Sequence, residues 1–86
     1  MYLVVVYDIS VERVNKVHKF LKTYLHWQQN SVFEGKVTKS QYHMIIQELE
    51  DLTDSSVDSV MIYSFPKKYL NKTILGIEKN TINFIL

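Results

Sequence analysis

The first residues of the chain, "YLVVVYD", form an apolar run that ends at a carboxylate, Asp8. In a strand over Leu3–Tyr7, odd and even positions project to opposite faces, and here both sets are apolar. A later run, "SVMIYSF", repeats this pattern and ends at the only proline, Pro66. The sequence therefore predicts two strands that are apolar on both faces.

Two other segments carry apolar residues at helical spacing. The first follows Ser10, a candidate N-cap, and its apolar stripe consists of Val14, Val17, Leu21, Tyr24 and Leu25. The second extends over Thr38–Leu52 and begins with a capping box of Thr38 and Gln41. Its stripe consists of Tyr42, Ile45, Ile46, Leu49 and Leu52. Both segments are predicted to be amphipathic helices.

Between the helices, His26–Val37 is rich in β-branched and aromatic residues, which predicts a short strand, a bend near Gln29–Asn30 and a longer strand. The predicted order is strand, helix, two strands, helix, strand. Parallel pairing across right-handed crossovers then gives an α+β, ferredoxin-like βαββαβ sandwich. Residues 1–86 form one domain, with a core over 1–66 and a C-terminal tail over 67–86.

A sandwich of this kind covers only one face of its sheet, so the second apolar face needs another cover. Leaving large apolar side chains in water forgoes about 1.5–3 kcal/mol each. A second copy of the chain, packed sheet to sheet, is the simplest cover, and we expect a homodimer. The tail segment "TILGI" can add a strand to its own sheet or to the partner's; the alternative is a tail folded back on its own monomer.

Composition narrows the possible functions. The chain has no cysteine, which excludes disulfides, thiolate metal sites and a cysteine nucleophile. Its N-terminal apolar run is too short for a membrane span, and a cytoplasmic location is expected. Five of nine acidic residues fall within residues 48–58, which leaves four acids against ten lysines and arginines elsewhere. This excess of positive charge outside residues 48–58 has two interpretations: it attracts the phosphate groups of a ligand, or it serves only to keep the protein soluble.

Asp8 has two interpretations. It is a polar stop before a helix, or it is a metal ligand. On period two, Asp8 shares a strand face with Tyr2, Val4 and Val6. If a dimer forms on that face, two copies of Asp8 can meet, and a hard divalent ion such as Mg²⁺ relieves their repulsion. Such an ion activates water and stabilises developing negative charge.

Other polar and aromatic residues have both structural and functional interpretations. Ser10 caps a helix or lines the Asp8 site, and Tyr7 belongs to the core or reaches the edge of that site with its hydroxyl. Phe33 packs in the core or presents its ring to a nucleotide. His18 is expected to be a packing residue, and the three histidines show no ligand spacing.

The segments "VVVYDIS", "RVNKVHKFL", "QNSVFEGKVT" and "DSVMIYSF", in this order, resemble the small CRISPR-associated adaptation nucleases. The resemblance covers roughly residues 1–66 and extends loosely into "ILGIEKN…INFIL". It implies a ferredoxin-like homodimer with tail strands crossing between subunits, and a metal ion held between two copies of Asp8. It also implies Mg²⁺-dependent cleavage of single-stranded RNA or of DNA, and a bridging role beside a larger integrase during spacer acquisition.

The residues then support two main hypotheses and one minor one. In a metal-dependent endonuclease, Asp8 holds the ion, Tyr7 and Ser10 line the cleft, and Arg13 contacts a phosphate. In a non-catalytic scaffold that spans duplex DNA and docks integrase subunits, the phosphate contacts come from Lys16, Lys19, Lys36, Lys39, Lys67 and Lys68. The minor hypothesis is a dimeric regulatory module that binds a small ligand.

Overall fold

A computed structural model describes residues 1–66 and 71–80 of the 86-residue chain. The elements follow the predicted order. They are β1 (Tyr2–Asp8), α1 (Val11–Tyr24), β2 (His26–Gln29), β3 (Val32–Lys36), α2 (Lys39–Leu52) and β4 (Ser59–Phe65). The predicted helices and strands are therefore confirmed, with small differences at their ends.

The four strands form one sheet in the order β2-β3-β1-β4. All neighbouring strands are antiparallel, so the expected parallel pairing is wrong. The strands that each helix connects do run in the same direction, but a third strand separates them: β3 lies between β1 and β2, and β1 lies between β3 and β4. This arrangement confirms the ferredoxin-like α+β class.

Local sequence signals account for the start of α2 and for the turn between β2 and β3. The predicted capping box at α2 is present: the Gln41 amide donates to Thr38 Oγ1 at 3.1 Å, and the Thr38 amide donates to Gln41 Oε1 at 2.9 Å. The turn between β2 and β3 passes through Asn30, whose φ of 45° lies in the left-handed region that asparagine tolerates. This turn produces the predicted bend.

The core lies between the helices and one face of the sheet. It contains residues from β1, β3 and both helices: Leu3, Val5, Tyr7, Val17, Leu21, Leu25, Phe33, Val37, Ile45 and Leu49. Val60 and Ile62 of β4 pack against this cluster. These contacts show which side of β1 and β4 the helices cover.

The opposite side of the sheet, which we call the open face, carries the alternate residues. Across the ladder, Val4 of β1 lies beside Tyr63 of β4, and Val6 lies beside Met61. Tyr63 and Met61 are each 51% exposed. The open face is thus apolar and partly exposed in a single chain, as the strand patterns predicted.

The described part of the tail, residues 71–80, contacts this same chain. Lys72 reaches β2 and β3, and the side-chain amide of Asn80 donates to the carbonyl oxygen of Trp27. Residues 71–80 form no strand, so the strand expected over "TILGI" is not formed in the single chain. The rest of the predicted tail, 67–70 and 81–86, lies outside the described residues. Within 1–66 and 71–80, no helix is long and apolar enough to cross a membrane.

Candidate metal and phosphodiester site

Asp8 is the last residue of β1, and its Cα partner across the ladder is Ser59 at the start of β4. The alternation of β1 places Asp8 on the open face, next to Val6. Its side chain is exposed, and among the residues that the structure describes its carboxylate has no hydrogen-bond or ion-pair partner. An unpartnered carboxylate at the edge of an apolar face is available to a ligand.

A second carboxylate nearby is in the opposite situation. The Asp58 side chain is 1% exposed and accepts five hydrogen bonds. Oδ1 accepts from the Ser10 amide at 3.0 Å, from Ser10 Oγ at 3.1 Å and from Arg13 Nη2 at 3.1 Å. Oδ2 accepts from Arg13 Nε at 2.7 Å and from the Asp54 amide at 2.9 Å. The Asp58 carboxylate therefore has no capacity left for a metal or a substrate.

These contacts also set the charge of the cluster. The Arg13 guanidinium, together with the amides of Asp54 and Ser10, holds the pKa of Asp58 well below its usual range. The hydrogen bonds from the Arg13 guanidinium to Asp58 raise the pKa of Arg13 as well. Because the folded-state pKa of Asp58 is lowered, its stabilising effect is present above the ordinary carboxyl pKa and is lost as the pH falls below it.

Two predicted site residues are committed to this cluster. Ser10 occupies the N-cap position of α1, but its hydroxyl donates to Asp58 and makes no cap hydrogen bond, which corrects the predicted side-chain cap. Arg13 uses Nε and Nη2 on the same carboxylate in a bidentate pair. Arg13 is therefore not a free phosphate ligand, because its paired donors already face an anion.

Two aromatic candidates lie on the helix side of the sheet. Tyr7 is buried among the helices, and its hydroxyl is 3.3 Å from His18 Nδ1. Phe33 is 0% exposed and contacts both Tyr7 and His18 through its ring. The structure therefore corrects both functional interpretations, since Tyr7 points away from Asp8 and Phe33 has no surface for a nucleotide. The expected packing role of His18 is confirmed.

Of the lysines proposed to contact nucleic acid, those that the structure describes are exposed and lie on three different elements. Lys16 lies on α1, and Lys39 lies in the first turn of α2. Lys36 is on β3 opposite Tyr2, six residues before Asp8, or about 20 Å along the strand at about 3.4 Å per residue. Lys36 therefore lies at the opposite end of β1 from Asp8. Lys67 and Lys68 lie outside the described residues.

The structure also shows a second buried acid that the sequence did not indicate. Glu34 of β3 lies on the open face beside Val4 and is buried beneath the tail. Its Oε2 accepts from Lys72 Nζ at 2.7 Å, and the same ammonium donates to Gln28 Oε1 at 2.6 Å. Burial, the negative charge of Glu34 and a hydrogen bond with Glu34 raise the pKa of Tyr2 to about 12.

We expect the Lys72→Met substitution to lower the free energy of unfolding by about 1–3 kcal/mol, because it leaves the buried Glu34 carboxylate without its charged partner. Urea denaturation at a fixed protein concentration measures the change. Lys79→Met is the matched control, because Lys79 is an exposed tail lysine that makes no hydrogen bond or ion pair to any described residue. Equal stability of the two variants would contradict the inferred role of Lys72.

The donors available in one chain limit which metal site is possible. Among residues 1–66 and 71–80, no group of three or more histidine, aspartate or glutamate side chains lies close enough together to hold a metal ion. Asp8 supplies one carboxylate, which is a hard oxygen ligand of the kind that Mg²⁺ takes together with water. A site for a hard divalent cation at Asp8 would therefore be more complete if another chain supplied a second carboxylate.

The fold and this site together define a small ferredoxin-like domain with a free acidic residue at the end of its first strand. Comparison with known proteins identifies its family. The family model for the CRISPR associated protein Cas2 matches residues 1–73, and the chain belongs to the Cas2 family.

Close relatives match over the full length of the chain. A protein of Methanothermobacter thermautotrophicus named CRISPR-associated endoribonuclease Cas2 is 52% identical, covering 100% of this chain and 96% of its own length. A protein of the same name from Pyrococcus furiosus is also 52% identical, with 100% of both chains covered. A crystal structure titled as that of Cas2 has a TM-score of 0.87 and 49% identity, and covers 95% of this chain and 93% of its own. These matches agree with the resemblance inferred from the sequence motifs.

Proposed function

We propose that two copies of this chain form a CRISPR-associated endoribonuclease that hydrolyses phosphodiester bonds with a divalent metal ion. The observation that carries the proposal is the contrast between two neighbouring acids. Asp58 is saturated by five donors, whereas Asp8 is exposed and has no partner among the described residues. The names of the relatives, which call them endoribonucleases, support the same reaction class.

The dimer follows from the open face. Met61 and Tyr63 are half exposed, and Val4 and Val6 lie between them and β3. A second copy packed on this face would remove these side chains from water and bring the two Asp8 residues to a shared edge. The tail residues Ile74, Leu75 and Ile77 are exposed and would add apolar contact area with the partner.

Asp8 and its copy would hold one Mg²⁺ ion between them, as two carboxylates with water completing the shell. The bound ion would supply an activated water and stabilise negative charge on the phosphate. The buried Tyr7 and the hydrogen-bonded Ser10 and Arg13 are not free to accept or donate the reacting proton, so the chain's own contribution is the position of its carboxylates. Hydrolysis adds water across one P–O bond and leaves two ends.

The test is cleavage of a labelled single-stranded RNA by purified protein in the presence of Mg²⁺. We expect cleavage that EDTA abolishes and that added Mg²⁺ restores. The Asp8 carboxylate is negatively charged, so a bound cation is needed to stabilise the negative charge of the phosphate. A matched single-stranded DNA substrate measures the preference for RNA. Cleavage that persists at full rate in excess EDTA would contradict a metal-dependent reaction.

One observation favours a second function, that of a scaffold in spacer acquisition. Lys16, Lys36 and Lys39 are exposed and lie on three separate elements, α1, β3 and α2. Cations on separate elements can contact phosphates along the backbone of a DNA duplex, since such contacts need no catalytic geometry. In this role the dimer would lie along the duplex and connect two integrase subunits. Binding that weakens steeply with salt, and that survives the loss of Asp8, would support this scaffold in the cytoplasm.

A further inference from the structure

The connection from β1 to α1 is hydrogen-bonded to the turn between α2 and β4. Asp58, which ends the turn after α2, accepts hydrogen bonds from both the amide and the hydroxyl of Ser10, although 48 residues separate the two. It also binds Arg13 in the first turn of α1. One buried carboxylate therefore fixes two residues that follow Asp8 closely in sequence.

Asp58 is also next to Asp8 across the sheet. It immediately precedes Ser59, and Ser59 is the ladder partner of Asp8. The backbone up to Asp8 is therefore held by the β1–β4 ladder, and the backbone that follows Asp8 is held by the hydrogen bonds from Ser10 to Asp58. The Asp8 side chain has no bond of its own among the described residues, so its position depends on this backbone alone.

We propose that Asp58 is a positioning residue for Asp8, which fixes the turn over residues 8–13 so that the Asp8 carboxylate is preorganised for the metal ion. This inference rests on the proposed function, in which Asp8 is the metal ligand. Residues that orient a metal ligand through hydrogen bonds contribute substantially to affinity and rate, even though they do not touch the ion.

Arg13 belongs to the same hydrogen-bonded cluster as Asp58 and Ser10. Its two donors meet the two oxygens of Asp58, a geometry that the planar guanidinium provides and that a lysine ammonium does not. The role of Arg13 is then to hold Asp58 in position, and its effect on catalysis is indirect. Arg13→Lys keeps the positive charge and removes the bidentate pair. The variant therefore measures the effect of the hydrogen-bond geometry at constant charge.

The experiment compares wild type, Asp58→Asn and Arg13→Lys with the control Asp51→Asn. Asp51 is an exposed acid of α2 with no partner among the described residues, so the control removes the same charge without touching the cluster. Four quantities are measured: the exchange rate of the Ser10 amide hydrogen in metal-free protein, the Mn²⁺ affinity by electron paramagnetic resonance, and kcat and KM for RNA cleavage. Circular dichroism establishes that each variant is folded.

For Asp58→Asn we expect the Ser10 amide to exchange about tenfold faster, because it loses a charged acceptor. We expect Mn²⁺ to bind about tenfold more weakly and kcat to fall by about the same factor, with KM little changed. Arg13→Lys should show the same pattern, and it serves as the deciding variant if Asp58→Asn does not fold. Asp51→Asn should behave as wild type.

Two results would overturn the inference. One is a folded variant with wild-type Mn²⁺ affinity and kcat. The other is faster exchange of Ser10 with unchanged metal affinity, which would make Asp58 a purely structural residue. Failure of the proposed function looks different: Asp8→Asn would then bind Mn²⁺ as tightly as wild type does. Loss of Mn²⁺ in Asp8→Asn but not in the Asp58 and Arg13 variants refutes only the positioning role.

Discussion

We expect the Asp8→Asn protein to lose metal-dependent RNA cleavage by a factor of at least about 100, because loss of an outer-shell partner alone lowers activity 10- to 100-fold and Asp8 is the proposed ligand itself. Asparagine keeps the size of the side chain and removes its charge. Asp8 is exposed and makes no bond among the described residues, so the variant should fold and dimerise as wild type does.

The control for this substitution is Asp51→Asn, an exposed acid of α2 that likewise has no partner within the described residues. It should cleave RNA at the wild-type rate. Equal cleavage by wild type and Asp8→Asn, purified side by side, would indicate a contaminating nuclease and would remove the catalytic role of Asp8. Duplex DNA binding that survives Asp8→Asn would show that the scaffold function is separable from cleavage.

The second large effect is expected at the open face. Met61→Asp places a charge among Val6, Tyr63 and their copies, and an unpaired charge in an apolar interface is strongly unfavourable. We expect the dissociation constant of the dimer to rise at least about 100-fold, which corresponds to about 2.7 kcal/mol. Sedimentation equilibrium measures the change.

A matched methionine on the helix side provides the control. Met44 of α2 is 40% exposed, close to the 51% of Met61, but it lies on the layer away from the open face. Met44→Asp should leave the dimer intact. A dimer that tolerates Met61→Asp but not Met44→Asp would place the interface on the helices and would contradict the account.

The elements of this fold were predictable because their signals are local. The stripe that includes Val17 and Leu21 defines α1, and the capping box of Thr38 and Gln41 defines the start of α2. The period-two alternation of β4 also separated Met61 and Tyr63 from Val60 and Ile62, and the structure shows Met61 and Tyr63 half exposed. Each of these inferences needs only residues that are near one another in sequence.

The errors involve pairings that are distant in sequence. The pattern of β1 could not show that its neighbours are β3 and β4, both antiparallel. Ser10 was expected to cap its own helix because its alternative partner, Asp58, lies in a turn whose polar composition predicts only a loop. Glu34 and Lys72 were missed for the same reason, since nothing local indicates that the tail supplies a cation to β3.

The candidate site was only partly predictable. Asp8 was identified because a carboxylate ends an otherwise apolar strand, and the structure agrees that it is exposed and unpartnered within the described residues. Phe33 was ambiguous because the face it occupies depends on register, and the register places it opposite the buried Val5. Arg13 looked free because a guanidinium near a helix start does not reveal its acceptor.

The central claim is that a single subunit is incomplete. Apolar side chains project from both sides of its sheet, the helices cover one side, and the described tail reaches only the β2–β3 part of the other. Sedimentation equilibrium of the wild-type protein at micromolar concentration tests this most directly. The account predicts a species of twice the 10.2 kDa chain mass, with no folded monomer at the lowest concentration that can be measured. A well-folded species of 10.2 kDa would contradict the dimer, and with it the shared ion between the two Asp8 carboxylates.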